Sequence, residues 1–172
     1  TTVLVNDNLD ELGLKGKQKA DIVLFTNAPK DADHSEAKLI IEQPGEYEAS
    51  NISIQGVAAR AHMDEAGKLS ATIYKIIADD VKIAVVGHIY PELSDDQLEA
   101  IGTVDILIVP VGGNGYTLDP IGALKIIKKI EPKIVIPSHY ADKAVKYPVV
   151  QQELSDALKS LSMEPKETIE KL

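Results

Sequence analysis

The order of short apolar runs constrains the fold of this 172-residue chain more than any other feature of its sequence. Runs rich in valine and isoleucine are separated by glycine, proline, asparagine and aspartate, which is typical of β-strands joined by turns. We predict strands at 3–5, 21–26, 38–41, 46–49, 52–59, 71–77, 82–86, 105–111 and 133–136. Most of these strands come first and helices alternate with the last ones, an order that favours a layered α/β fold.

Three helices are predicted, two of them from residues typical of helix N-termini. Ser94 and Gln97 match a capping box, and Asp119 followed by Pro120 marks a second helix start. The predicted spans are 95–101, 120–130 and 149–161. In the second helix, the apolar residues that we expect to face the core are Ile121, Leu124, Ile127 and Ile130.

Two of the late apolar runs differ from the alternating strands before them. The runs at 106–109 and 134–136 are continuously apolar, which predicts strands buried on both faces of a sheet. The chain shows no internal repeat, low-complexity tract or linker, and its length suits one core. We therefore predict a single domain over residues 1–172.

Composition limits the classes of partner. A net charge of −9 disfavours nucleic acid as a partner, and no apolar run approaches the ~20 residues of a membrane helix. Without cysteine, any metal must be bound by nitrogen and oxygen ligands. The lack of cysteine and of a visible signal peptide leads us to expect a cytoplasmic protein that binds neither nucleic acid nor membrane.

Only four histidines are present, and two of them close apolar runs. His88 and His139 each follow a predicted strand, whereas His34 and His62 lie in short connecting segments. A histidine delivered at the end of a strand is a common component of sites at a sheet edge. These four residues are therefore the first candidates for a site.

Several motifs resemble one family when taken in order. They are Pro44-Gly45-Glu46-Tyr47-Glu48 and the segments at 87–89, 93–98, 104–113, 116–119 and 131–140. Over about residues 21–140 the chain resembles the lactonase-like branch of the metallo-β-lactamase superfamily, the Zn-dependent hydrolases of the β-lactamase fold. This resemblance implies a four-layer αββα sandwich, with the first hairpin of the family absent ahead of Thr1.

The resemblance also implies a metal centre of definite composition. The family has a His-x-His-x-Asp-His loop, a histidine after a middle strand, a bridging aspartate in a Gly-Asp pair and a last histidine before tyrosine. Two Zn²⁺ ions bound there lower the pKa of a bridging water to about 7 and polarise the scissile group.

This chain departs from the family pattern at most ligand positions. In the loop, Asn27 and Pro29 stand where the first two histidines are expected, and His62 lies one residue out of register. His88 replaces the bridging aspartate. Only His139, in Pro137-Ser138-His139-Tyr140, lies on its family position.

The loop register remains open between two alternatives. Without a gap, Asp31 matches the family aspartate and Ala32 replaces the histidine; a two-residue shift restores the pair as Asp33 and His34. The resemblance thus implies a lost first metal subsite and one candidate second subsite. Its ligands are Asp33 (or Asp31), His34, His88 and His139, and they suit a single Zn²⁺, Fe²⁺ or Mn²⁺ ion.

Three functions are consistent with this pattern. The first, which we favour, is a non-catalytic or strongly altered protein with an eroded dinuclear site and no cofactor, in which His88 and His139 hydrogen-bond to each other or to backbone. The second is a mononuclear hydrolase of an ester, lactone or phosphodiester, with Asp31 as general base. The third is a protein that binds a small anionic metabolite in the vacated pocket. An exposed sheet edge further suggests a homo-oligomer.

Overall fold

The computed structural model describes residues 1–6, 12–13, 19–27 and 36–163, which form two β-sheets and three helices. The first sheet contains three parallel strands, β1 (Val3–Val5), β2 (Ile22–Leu24) and β3 (Leu39–Ile41). The second sheet contains β4 (Gly45–Ala49), β5 (Ile52–Ala59), β6 (Ala71–Ala78), β7 (Val81–Val85), β8 (Ile106–Pro110) and β9 (Ile134–Ser138). The helices are α1 (Asp95–Ile101), α2 (Pro120–Ile130) and α3 (Leu154–Ser160).

The second sheet changes from antiparallel to parallel pairing along its length. Strands β4 to β7 pair with their neighbours in antiparallel order, and β7, β8 and β9 pair in parallel. Helices α1 and α2 supply the two crossovers that parallel pairing requires. The carboxyl ends of β7, β8 and β9 therefore meet at one edge, which brings the segments after Val85, Pro110 and Ser138 together.

Two apolar cores separate three layers. Ile73, Leu107 and Ile126 belong to the core between the helices and the six-stranded sheet. Leu24 and Tyr74 belong to the core between the two sheets. The prediction of a two-sheet α/β sandwich is confirmed, and the described residues account for three of its layers.

The capping residues located two helices correctly. Ser94 and Gln97 form the reciprocal capping box of α1. The Asp119 carboxylate accepts the Gly122 N–H at the start of α2, and Pro120 occupies its first turn. None of the three helices in the described ranges has the length and apolar character needed to cross a bilayer.

The third helix begins five residues later than predicted. It starts at Leu154, because the preceding segment hydrogen-bonds to the segments that follow β8 and β9. The Gln152 N–H donates to the Gly112 carbonyl (2.9 Å), and the Gln152 carbonyl accepts the Ala141 N–H (2.8 Å). Backbone groups used in this way are unavailable for a helical turn.

Two predictions of burial were wrong. Ile121 is 66% exposed, because the buried stripe of α2 follows Ala123, Ile126, Ile127 and Ile130. Strand β9 is not buried on both faces either, since Ile134 is 49% exposed. Within the described residues, β9 is an edge strand of the six-stranded sheet and pairs with β8 alone.

Candidate functional site

Gly87 places His88 at the carboxyl end of β7, where the two sheets come into close contact. The φ of Gly87 is +60°, and a Cβ on Gly87 would lie 2.3 Å from the Thr26 Oγ1. Asn6 fixes Thr26 by accepting the Thr26 N–H at 2.8 Å. The end of β2, where Asn27 pairs with Ala71 in an isolated bridge, is thus held beside the start of the His88 segment.

His88 and His139 face each other across the ends of β7 and β9. Their Nε2 atoms are 3.0 Å apart, and their rings are nearly perpendicular, at 87°. The His88 Nδ1 lies 3.1 Å from the Tyr116 carbonyl oxygen, and the His139 Nδ1 lies 3.3 Å from the Ser138 Oγ. Every ring nitrogen of the pair therefore has a polar neighbour at hydrogen-bonding distance.

These neighbours assign the protons when both rings are neutral. A carbonyl oxygen only accepts, so the His88 Nδ1 carries its proton and the His88 Nε2 has a lone pair. The His139 Nε2 then donates to His88, and the His139 Nδ1 accepts from the Ser138 hydroxyl. The result is one directional chain of hydrogen bonds in which all four ring nitrogens are satisfied.

Burial favours the neutral form of both rings. It lowers the pKa of His139 to about 4, and the neighbouring His88 adds to that effect. Burial also lowers the pKa of His88, against the opposing influence of the Tyr116 carbonyl. At neutral pH the pair is uncharged, unlike the anionic carboxylate that stands at position 88 in the family pattern.

Two tyrosines frame the histidine pair. The Tyr116 ring meets His88 edge-on with centroids 4.8 Å apart, and the Tyr147 ring lies 6.0 Å from His139. Burial raises the pKa of Tyr147. Tyr116 was not among the site residues predicted from the sequence, although it opens one of the motifs that carry the family resemblance.

His62 approaches the same edge from the segment after β5. Its backbone N–H donates to the His88 carbonyl at 2.9 Å, which ties the two segments together. The His62 Nδ1 is buried and finds no hydrogen-bond partner in the described part of the chain. A buried nitrogen of this kind marks a position where a further ligand or solvent molecule would be favourable.

The described residues of the site lack the ligand set of the family's metal centre. Within residues 1–6, 12–13, 19–27 and 36–163, no three histidine, aspartate or glutamate side chains are grouped to hold a metal. Asp31, Asp33 and His34 lie outside the described residues, so their assignment stays a prediction. His88 and His139 alone offer two neutral nitrogens, which do not fit a dinuclear centre built around a bridging carboxylate.

Comparison with known proteins identifies the family. Residues 1–139 match the family described as the beta-lactamase superfamily domain. The chain belongs to this superfamily, and its relatives include proteins described as metal-dependent hydrolases.

Two relatives carry that description. One, from Thermococcus onnurineus, is 33% identical over 100 residues, which cover 56% of this chain and 44% of the relative. Another, from Carboxydothermus hydrogenoformans, is 51% identical over 43 residues, covering 25% of this chain and 19% of that protein. The matched stretches thus span less than half the length of either relative.

Solved structures share the fold. A proposed Zn-dependent hydrolase of the metallo-β-lactamase superfamily from Thermotoga maritima superposes with a TM-score of 0.62 at 27% identity, covering 81% of this chain and 68% of that one. A metal-dependent hydrolase proposed from Parabacteroides distasonis gives 0.58 at 22% identity, covering 82% and 72%, and shows the fold alone. The predicted family and fold are therefore confirmed.

Proposed function

We propose that this protein is a member of the metal-dependent hydrolase family whose dinuclear centre has eroded and whose two-metal hydrolysis is lost. The observation that supports this proposal is the 3.0 Å approach of the His88 and His139 Nε2 atoms. A hydrogen bond at that distance uses the lone pair that His88 would otherwise give to a metal.

The residues at the family's ligand positions support the same conclusion. A neutral imidazole at position 88 supplies one nitrogen, whereas a bridging carboxylate supplies two anionic oxygens to two cations. The amide of Asn27 is a weak neutral ligand in place of a histidine. Without a bound divalent cation, a site water lacks the charge that lowers its pKa to about 7.

The second candidate function is mononuclear hydrolysis, and the same distance gives it some support. Two nitrogens that bind one Zn²⁺ at about 2.0–2.1 Å in tetrahedral geometry lie a little over 3 Å apart. Such a site would recruit Asp33 and His34 to His88 and His139, with Asp31 as general base for an ester, lactone or phosphodiester. The small-anion function stays a prediction.

Metal content separates the two candidates. The purified protein is dialysed against Zn²⁺, Mn²⁺ or Fe²⁺, washed free of unbound ion and analysed by elemental mass spectrometry. The proposed function predicts no retained metal in the wild-type protein. The matched variants are His139→Ala, which removes one nitrogen of the pair, and Lys125→Ala, which alters an exposed position on α2.

Each outcome has a definite meaning. About one metal per chain in the wild type and in Lys125→Ala, with loss in His139→Ala, would overturn the proposal in favour of the mononuclear site. Retention of metal in His139→Ala would contradict the proposed erosion and also the ligand set of the mononuclear candidate.

A further inference from the structure

His139 has a backbone conformation that few residues with side chains adopt. Its φ is +54°, in the left-handed region, where a Cβ is strained against the following carbonyl. Such a conformation persists only where its surroundings enforce it, and it is frequent at functional sites. The contacts around His139 therefore identify what keeps its imidazole against His88.

One of these contacts involves Gly112, the second residue after β8. A Cβ on Gly112 would lie 1.9 Å from the His139 carbonyl oxygen, far inside any van der Waals contact. The φ of Gly112 lies outside the left-handed region, so backbone conformation does not require glycine here. The close approach of the His139 carbonyl requires it.

Gln151 shares the space above Gly112. Its Oε1 would lie 2.1 Å from the same Cβ position, and its side chain is 5% exposed. The Gln151 Nε2 donates to the Val149 carbonyl at 2.9 Å, which fixes the direction of the amide. The Oε1 has no hydrogen-bond partner among the described residues, and it lies with the His139 carbonyl in the space that a Gly112 side chain would occupy.

Backbone hydrogen bonds fix the segments on both sides of this contact. The Val111 N–H donates to the Ser138 carbonyl (2.9 Å), immediately before His139. The Gln152 N–H donates to Gly112 (2.9 Å), and the Gln152 carbonyl accepts the Ala141 N–H (2.8 Å), immediately after it. The carbonyl of His139 is therefore held between two anchored segments.

We propose that Gly112 and Gln151 are positioning residues for His139. By enclosing the His139 carbonyl, they maintain the left-handed backbone that keeps the His139 Nε2 3.0 Å from the His88 Nε2. This inference rests on the proposed function in taking the histidine pair as the site. It concerns the geometry of the pair, which is measured separately from its metal content.

The first test compares two glycines of the same loop. Gly112→Ala adds a methyl group where the His139 carbonyl lies, whereas Gly115→Ala adds one at a glycine with φ +75° and no neighbouring atom within 4 Å. ¹⁵N NMR of the ring nitrogens reports the hydrogen bond between His88 and His139. We expect both signals to shift and the bridging N–H to be lost in Gly112→Ala only. A folded Gly112→Ala with wild-type ring signals would overturn the proposal.

The second test avoids the risk that Gly112→Ala does not fold. Gln151→Ala removes the amide from the space above Gly112, and Gln152→Ala is its control, because Gln152 contributes through backbone hydrogen bonds that alanine retains. We expect altered His139 ring signals in Gln151→Ala and wild-type signals in Gln152→Ala. Identical spectra for the two variants would refute a positioning role for Gln151. Metal retained by the wild type would refute the proposed function, whereas both NMR comparisons are made on protein treated with a chelator and therefore test the positioning role separately.

Discussion

At the scale of single residues, the proposed loss of two-metal chemistry depends most on His88. His88 stands where the family pattern has an aspartate, and its proton on Nδ1 is fixed by the Tyr116 carbonyl at 3.1 Å. The identity of that residue was readable from the sequence, because Gly87-His88 occupies the place of the Gly-Asp pair. The atoms that contact His88 could not be predicted from the sequence, since Tyr116 and His139 lie 28 and 51 residues away along the chain.

Gly87 provides a prediction at the same scale. Gly87→Ala should unfold at a lower urea concentration than the wild type. We expect its free energy of unfolding to fall by about 3 kcal/mol, because of left-handed strain and overlap with Thr26. The control is Gly67→Ala, where φ is +89° and no atom lies within 4 Å of the added Cβ. Gly67→Ala carries the left-handed strain without an overlap with neighbouring atoms, so we expect its free energy of unfolding to fall by about 1 kcal/mol. Equal losses in both would show that the Thr26 contact contributes nothing.

At the scale of elements, local sequence signals located the starts of α1 and α2. The start of α3 and the exposure of β9 depend instead on contacts between residues that are distant in sequence. The capping residues of α1 and α2 lie within four positions of the helix starts, so they could be recognised from the local sequence. The start of α3 depends on hydrogen bonds from Gln152 to Gly112 and Ala141, which are distant in sequence. The exposure of β9 depends on its position at the sheet edge, which the apolar run at 134–136 does not encode.

Asp105 joins the amino ends of the three parallel strands. Its carboxylate accepts the Lys82 N–H at 2.8 Å and pairs with the Lys133 ammonium at 2.7 Å. The hydrogen bond from Lys133 and that from the Lys82 backbone hold the pKa of Asp105 below its ordinary value.

This lowered pKa predicts how stability depends on pH. A carboxylate whose pKa is lower in the folded than in the unfolded state stabilises the fold above about pH 3.9, and that contribution is lost as the pH falls further. Asp105→Asn should therefore show a flatter decline in urea midpoint below pH 4 than the wild type. Asp80→Asn, in the exposed turn between β6 and β7, serves as control and should retain the wild-type slope. A wild-type slope in Asp105→Asn would contradict this assignment.

At the scale of the whole molecule, the chain retains the family fold, whereas the loss of its two-metal chemistry is our proposal. Both apolar cores and the convergence of three strand ends are present, and these bring the Nε2 atoms of His88 and His139 to 3.0 Å from each other. The fold was predictable because strand order and motif order both follow the family. The contribution of Asp31, Asp33 and His34 to a metal site could not be predicted, because the loop sequence allowed two registers. These residues also lie outside the described ranges.

The most direct test of the account is ¹⁵N NMR of the histidine ring nitrogens in the wild-type protein, before and after one equivalent of Zn²⁺. We predict an N–H proton shared between the Nε2 atoms of His88 and His139, with spectra that Zn²⁺ leaves unchanged. Loss of that proton on addition of Zn²⁺, with both Nε2 signals moving to metal-bound positions, would show that the site still binds metal and would contradict the proposed erosion.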